Sequence, residues 1–193
     1  MTTPASPKRI GVLAGAFNPV TRAHLALVDA ALRVVDEVIC VVPRVYPHKE
    51  LHGADLETRV EMLRRAGTRY RVVLCEQGLF ADIARELRPQ NPDAELYFIC
   101  GRDAAERVIH WDYGDSGAIE RMLENFRLLV ASRQGEFDAP PHLRQRVEPL
   151  RLAGDFDDVS STEVRKRIAA GAAWEHLVPE PIIEMVRRVY RTS

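Results

Sequence analysis

The sequence predicts an α/β fold, a doubly wound parallel sheet with a small C-terminal helical part. Short apolar runs alternate with amphipathic segments over most of the chain, a pattern typical of βαβ units. The runs are separated by glycine, proline or polar residues, and from about residue 155 only helical patterns follow. We therefore expect one domain over residues 1–193, with a sheet core at about 9–150 and a helical part at about 155–193.

The strands are predicted from apolar runs that are too short for helices and too continuous for exposed segments. The first run ends at glycine, and Pro43 stops the second. The predicted strands are Ile10–Leu13, Val38–Val42, Arg71–Leu74, Leu96–Cys100 and Arg127–Ala131, with Val147–Leu150 as a candidate sixth.

The helices are predicted from apolar residues that recur three or four positions apart. A cluster of proline and asparagine at 89–92 closes the third of them. The predicted helices are His24–Val35, Leu56–Ala66, Phe80–Leu87, Ile119–Asn125, Ser160–Ala170 and Pro181–Tyr190.

The composition restricts the partners. The 27 basic and 28 acidic residues give a formal net charge of −1. A near-neutral chain has no broad positive field, so we expect no nucleic-acid and no membrane partner. The N-terminal segment matches neither a signal peptide nor a membrane span. Cys40, Cys75 and Cys100 lie in apolar runs and are predicted to be buried free thiols, which favours a cytoplasmic protein. Homo-oligomerisation stays open.

The loop after the first predicted strand has a chemistry that suits phosphate. It runs Gly15-Ala16-Phe17-Asn18-Pro19-Val20-Thr21-Arg22-Ala23-His24 and matches neither a Walker loop nor a dinucleotide-binding turn. Its turn exposes backbone N–H groups just before a helix N-terminus, where anions bind. Thr21 and His24 are three residues apart and share one face of the first helical turn. Taken alone, such a pair is more typical of a helix cap beside a half-buried histidine.

A second phosphate-binding feature starts near residue 160. Ser160 or Ser161 is predicted to cap a helix whose free N–H groups point at an anion. Arg165, one turn further, can add a bidentate contact to phosphate. The alternative is an ordinary N-cap followed by a solvated basic face.

Together the two segments resemble motifs of the nucleotidyltransferase superfamily. The first resembles its G-x-F-x-P-x-H-x-G-H loop, with Thr21 in place of the first histidine and Ala23 in place of the glycine. This variant is similar to the form seen in nicotinamide mononucleotide adenylyltransferases. The second, Val159 to Arg165, resembles the superfamily's I-S-S-T-x-x-R helix start. The resemblance implies a Rossmann-like nucleotidyltransferase fold.

Segments between these motifs resemble the bacterial nicotinate mononucleotide enzymes, in the same order along the chain. They are Pro47-His48-Lys49 with Arg59 and Met62-Leu63, then Gly101-Arg102-Asp103 with Trp111, then Leu129 to Gly135. The likeness spans about residues 9 to 170, and the ordered set is far more specific than any single motif. Residues 75–90 depart from the family, because residues 78–82 stand where a Tyr-Thr pair is expected.

The resemblance implies transfer of AMP from ATP to a pyridine mononucleotide, with release of pyrophosphate. The protein then has to position two anions and neutralise the developing charge. His24 is expected to contact the α-phosphate, while Thr21, Ser160, Ser161 and Arg165 hold the leaving end. Mg²⁺ is expected to bind mainly through the ATP phosphates, and no metal site built from protein ligands is predicted.

The predicted residues fall into two groups. The ATP-binding set is Gly15, Ala16, Phe17, Thr21, His24, Gly101, Asp103, Ser160, Ser161, Thr162 and Arg165, with His24, Thr21 and Arg165 as the catalytic members. The mononucleotide-binding set is Asn18, Lys49, Trp111 and Arg133. Asp103 is predicted to accept from ribose hydroxyls, to cap a helix, or both. Trp111 is predicted either to stack on the pyridine ring or to pack in the core, and Trp174 to pack.

The sequence leaves two other functions open. The first is transfer of a nucleotidyl group from ATP or CTP to another phosphorylated acceptor. A nucleotide-binding sensor without catalysis is another, although retention of His24, Lys49 and Arg165 in one chain argues against it. The choice between a nicotinate and a nicotinamide ring is also open.

Overall fold

A computed structural model describes residues 6–46, 53–111, 114–131 and 137–190. In them, six strands form one parallel sheet in the order β3-β2-β1-β4-β5-β6. The strands are β1 (Arg9–Ala14), β2 (Glu37–Pro43), β3 (Arg71–Cys75), β4 (Glu95–Gly101), β5 (Arg127–Ala131) and β6 (Val147–Leu150). The strand order reverses between β1 and β4, which creates a crevice at their carboxyl ends. The predicted doubly wound parallel sheet is confirmed.

Helices cover both faces of the sheet. They are α1 (Arg22–Ala31), α2 (Leu56–Ala66), α3 (Phe80–Leu87), α4 (Arg102–His110), α5 (Ala118–Leu123), α6 (Ser161–Ala169) and α7 (Ile183–Tyr190). Short 3₁₀ segments lie at Arg88–Gln90, Pro141–Leu143, Glu175–Leu177 and Glu180–Ile182. None of the helices in the described ranges is long and apolar enough to cross a membrane.

Alternating side chains of the strands feed two hydrophobic cores. Val38 and Val42 of β2 join the core beneath α1, α2 and α7, whereas Ile39 and Val41 join the core beneath α3, α4 and α5. Both faces of the sheet are therefore buried, which is why the strands have continuous apolar sequences. Val164 of α6 lies in the first core, so the C-terminal helices pack on the same face as α1.

The largest differences from the predicted elements concern α4 and the end of α1, whereas the bounds of α5, α6 and α7 differ by one or two residues. The span of α4 is not predicted, and only the alternative that Asp103 caps a helix points to it, because its small apolar contact surface, Ala105 and Ile109, is interrupted by charged residues. α1 ends at Ala31 rather than at Val35. Leu32 is its C-cap, and turns carry the chain from there to β2, so the apolar residues beyond the helix pack without continuing it.

Candidate active site

The turn between β1 and α1 forms the centre of the candidate site. β1 pairs with both β2 and β4, so this turn lies at the edge of the sheet where the strand order reverses. Phe17 has a φ of 49°, in the left-handed region that non-glycine residues rarely enter. Its side chain is buried in the same core as Leu13 and Val20. Burial of the ring offsets the conformational cost, which is about 1–3 kcal/mol for such a residue.

Two side chains from the chain beyond β2 hold carbonyl groups of the turn. The Tyr46 hydroxyl donates to the Gly15 carbonyl at 3.0 Å, and Arg59 Nη1 donates to the Ala16 carbonyl at 3.0 Å. Burial raises the pKa of Tyr46, and the nearby Arg59 guanidinium partly opposes this rise. The hydroxyl therefore stays protonated and remains a donor at neutral pH.

The start of α6 holds the next carbonyl groups of the same turn. The Ser161 hydroxyl donates to the Pro19 carbonyl at 2.7 Å, and the Arg165 guanidinium donates to the Asn18 carbonyl. Ser160 is the N-cap of α6, and its Oγ accepts from the Glu163 N–H at 3.1 Å. The two predicted phosphate segments thus meet, although 142 positions separate Ser161 from Pro19.

His24 is oriented by Thr21, the N-cap of α1. The Thr21 backbone N–H donates to His24 Nδ1 at 3.0 Å, and Thr21 Oγ1 lies 2.8 Å from the same nitrogen. Because Nδ1 accepts from a backbone N–H, the imidazole carries its proton on Nε2, which makes Nε2 a donor. The ring of Phe17 lies 4.9 Å from the imidazole centroid and limits its rotation. Thr21 itself is 0% exposed, so it supports His24 from below the surface.

Asn18 links the turn to the far end of the chain. Its carboxamide Oδ1 accepts from the Ala54 N–H at 3.2 Å and from the Tyr190 hydroxyl of α7. The residue is 3% exposed. At least the oxygen of this predicted mononucleotide-binding residue therefore serves the fold.

A cavity of about 230 Å³ opens beside the turn. Its wall consists of Ala14, Gly15, Ala16, Pro43, Tyr46, Gly78 and Phe80. These residues come from the carboxyl ends of β1 and β2 and from the segment after β3. The segment that departs from the expected family sequence therefore contributes to this wall.

The end of β4 carries the second group of predicted residues. Gly101 is the N-cap of α4, so the expectation that Asp103 caps this helix is wrong. Asp103 is exposed in the first turn of α4, where a carboxylate is favourable beside the free N–H groups. A Cβ atom at Gly101 would meet no other atom within 4 Å, which leaves open space above this strand end.

The two tryptophans have opposite environments. The side chain of Trp111, which follows α4, is 54% exposed, so the alternative that places it in the core is wrong. Trp174 is buried, which confirms the prediction that it packs in the core.

Two residues of the predicted mononucleotide-binding set, Lys49 and Arg133, lie outside the described residues. Within the described ranges, no group of three or more His, Cys, Asp or Glu side chains could hold a metal ion.

A family profile and individual relatives both relate this chain to nucleotidyltransferases. A sequence profile of the cytidylyltransferase-like family matches residues 12–167. A probable nicotinate-nucleotide adenylyltransferase from Gloeobacter violaceus is 33% identical over 199 residues and is covered, like this chain, to 94%. One from Clavibacter michiganensis subsp. michiganensis is 29% identical over 218 residues, with 100% of this chain and 99% of the relative covered.

The chain belongs to the cytidylyltransferase-like family, together with nicotinate-nucleotide adenylyltransferases. It is therefore a nucleotidyltransferase, and enzymes of this family generally use a divalent metal. The Plasmodium falciparum nicotinic acid mononucleotide adenylyltransferase complexed with NaAD shares the fold, with a TM-score of 0.70 at 19% identity. That comparison covers 92% of this chain and 96% of the other.

Three residues of this chain, Tyr46, Arg59 and Tyr190, support the turn although the sequence does not assign them to it. Arg59 belongs to a segment that resembles the nicotinate mononucleotide enzymes, and Tyr46 directly precedes that segment. Tyr190 gave no local signal, since it lies at the end of an amphipathic helix 172 positions from Asn18. Buried polar side chains of this kind are recognised only when their partners are known.

Proposed function

We propose that this protein transfers the AMP group of ATP to a pyridine mononucleotide, forming the dinucleotide and pyrophosphate in NAD biosynthesis. The observation that carries the proposal is the junction of the turn after β1 with the start of α6, made by Ser161 and Arg165 on the Pro19 and Asn18 carbonyls. This junction places two helix N-termini and an oriented histidine at one edge of the sheet, where phosphates bind in such folds. The names of the relatives support nicotinate mononucleotide as the acceptor.

In this proposal the acceptor phosphate attacks the α-phosphorus of ATP in line, and pyrophosphate leaves. The Nε2–H of His24 donates to the α-phosphate, where charge and geometry change most. Ser160, Thr162 and Arg165 contact the leaving phosphates. The protein forms no covalent intermediate, because the acceptor already carries an anionic oxygen.

The proposed metal is Mg²⁺, held mainly through the phosphates of ATP, where it neutralises their charge. The donor set of the site fits this arrangement. The turn and the start of α6 offer N–H, hydroxyl and guanidinium groups, which bind phosphate oxygens rather than cations. Asp103 is proposed to accept from ribose hydroxyls, and Lys49, Arg133 and Trp111 to bind the mononucleotide.

Two further expectations belong with this function. We infer a cytoplasmic location, because the three cysteines are free and buried, as is usual in a reducing compartment. We also expect no nucleic-acid partner, since the net charge of −1 offers no broad positive surface.

The test is pyrophosphate release measured with both mononucleotides in parallel, each with ATP or CTP and Mg²⁺. We expect the largest kcat/KM with ATP and nicotinate mononucleotide. Under the same conditions His24→Ala should lower kcat by about 10²–10³, which ties the activity to this site. Absence of pyrophosphate above background with either mononucleotide, at saturating Mg·ATP, would exclude the proposal. Binding of ATP without turnover would instead favour a sensor.

A further inference from the structure

Arg59 is a buried charged side chain whose hydrogen-bond partners are all neutral. It is 5% exposed, and it donates to the Ala16 carbonyl at 3.0 Å, to the Asp55 carbonyl at 3.3 Å and to the Tyr46 hydroxyl at 3.4 Å. Its guanidinium carbon lies 5.9 Å from the centre of the Tyr46 ring. No carboxylate of the described residues forms an ion pair with it, and the nearby Asp55 carboxylate, which interacts with it electrostatically, faces solvent.

A buried guanidinium without a paired carboxylate is costly. A negative ligand bound close to it would supply the missing counter-charge. The carbonyl that Arg59 holds belongs to the turn proposed to bind ATP, so the polyphosphate is the natural candidate for that ligand.

The hydrogen bonds of Arg59 and Tyr46 also determine the direction of two peptide N–H groups. The peptide bonds after Gly15 and Ala16 are trans, so the C=O and the N–H of each unit point in opposite directions. Tyr46 holds the Gly15 carbonyl, which directs the Ala16 N–H away from it. Arg59 holds the Ala16 carbonyl and directs the Phe17 N–H in the same manner.

These two N–H groups are available to donate hydrogen bonds to an anion. Across the described ranges, no residue accepts from the backbone N–H of Ala16 or Phe17. A cationic donor on the carbonyl side of a peptide polarises the unit and strengthens its N–H as a donor. The charge of Arg59 is thereby transmitted to a ligand that the side chain does not touch.

We propose that Arg59, assisted by Tyr46, is a positioning residue for the phosphates of ATP: it directs the Ala16 and Phe17 N–H groups at them and supplies a buried positive charge behind them. This inference rests on the proposed function for the identity of the ligand. It assigns a role to α2, which lies outside both phosphate segments.

The experiment is a calorimetric comparison of adenosine, AMP, ADP and ATP binding, each with Mg²⁺. Arg59→Met removes the charge at similar size, and Tyr46→Phe removes one hydroxyl and keeps the ring beneath Arg59. Tyr70→Phe is the matched control, because the Tyr70 hydroxyl donates to the backbone carbonyl of Leu63 at 2.7 Å, away from the turn.

The affinity loss should grow with the number of phosphates. For Arg59→Met we expect ATP to bind about tenfold or more weakly and adenosine to change less than about twofold, since bonds to charged groups are the strong ones. Tyr46→Phe should follow the same trend with about a threefold to tenfold loss for ATP. Tyr70→Phe should leave all four affinities unchanged.

An equal loss for adenosine and ATP would show that Arg59 only stabilises the fold, and unchanged ATP affinity would also overturn the inference. If Arg59→Met does not fold, Tyr46→Phe provides the same comparison across the four ligands. Arg59→Lys, which keeps the charge, then shows how much of the effect depends on the hydrogen bond to the Ala16 carbonyl. Measurements of ATP binding and of pyrophosphate release distinguish a failure of this inference from a failure of the proposed function. A wild-type protein without pyrophosphate release, but with a phosphate-dependent Arg59 effect, would refute the proposed function alone. Normal turnover with variants that bind ATP normally would refute this inference alone.

Discussion

Replacement of Thr21 by valine tests how the first turn of α1 serves His24. Valine keeps the volume of the buried side chain and removes the hydroxyl whose oxygen lies 2.8 Å from His24 Nδ1. The Thr21 backbone N–H, 3.0 Å from the same nitrogen, remains in place. The imidazole therefore keeps its proton on Nε2 and loses one of the contacts that orient it.

The number and kind of the lost contacts determine the expected size of each effect. Loss of one neutral hydrogen bond costs about 1 kcal/mol, which corresponds to about fivefold in kcat if it all concerns the orientation of His24. His24→Ala removes the Nε2 donor itself and should lower kcat by about 10²–10³, as for one lost oxyanion donor. Thr21→Val should also lower the free energy of unfolding by about 1 kcal/mol, because the buried contact between the hydroxyl and His24 Nδ1 is lost.

The double variant discriminates between two roles for Thr21. If Thr21 acts only through His24, the double variant should have the kcat of His24→Ala, because the hydroxyl has nothing left to orient. If Thr21 also contacts the leaving phosphates, its effect should persist in the absence of His24. The assay is pyrophosphate release at saturating concentrations of both substrates, with thermal melts to establish that each variant is folded.

A matched control is His142→Ala, which removes an exposed histidine that lies 3.3 Å from Glu120, outside the candidate site. Its kcat should equal that of the wild type. A double variant whose loss equals the product of the two single losses would contradict the positioning role. A folded Thr21→Val variant that loses more kcat than His24→Ala would show that the two roles are reversed.

The remaining predictions concern acceptor binding, the C-terminal helix and the buried thiols. Trp111→Ala should raise the KM for the mononucleotide about tenfold, by analogy with loss of about 1–3 kcal/mol from one stacked base, and leave the KM for ATP unchanged in steady-state kinetics; an unchanged mononucleotide KM would remove Trp111 from the site. Tyr190→Phe removes the donor to Asn18 Oδ1 and should lower kcat severalfold and the free energy of unfolding by about 1 kcal/mol. Tyr70→Phe should lower only the free energy of unfolding, so equal kcat values in the two variants would show that α7 does not support the turn. Burial raises the pKa of Cys100 from 9.0 to about 12, so the folded thiol keeps a proton that the unfolded thiol loses above about pH 9. The stability contributed by this thiol is complete below pH 9 and should fall by about 1.4 kcal/mol per pH unit above it. In urea titrations between pH 9 and 11, the free energy of unfolding of Cys100→Ala should decline by about 1.4 kcal/mol less per pH unit than that of the wild type. Equal declines in the two proteins would refute this role of the thiol.

Local sequence was sufficient to predict the bounds of those elements that have a clear apolar pattern of their own. α2, α3 and β5 begin and end where the spacing of apolar residues places them. The start of α2 is also explained locally, because the Asp55 side chain accepts from the Thr58 N–H at 2.8 Å. α4 is the exception, since its two buried residues, Ala105 and Ile109, are too few to produce a clear pattern.

The chemistry of the site was also present in the sequence. Thr21 and His24 are three residues apart, so a helix start alone brings them into contact. Ser160 caps α6 by an equally local bond to the Glu163 N–H. Both features depend on the geometry of one helical turn, which sequence spacing specifies.

Only the tertiary structure decided how the phosphate turn is supported. Its carbonyl groups are held by Arg59, Ser161 and Arg165, which lie 43, 142 and 147 positions from their partners. No periodicity relates residues so far apart, because their contact depends on how α2 and α6 pack on the sheet. The sequence by itself therefore determined which groups can bind phosphate, and the packing of those helices determined that Arg59 lies behind the turn.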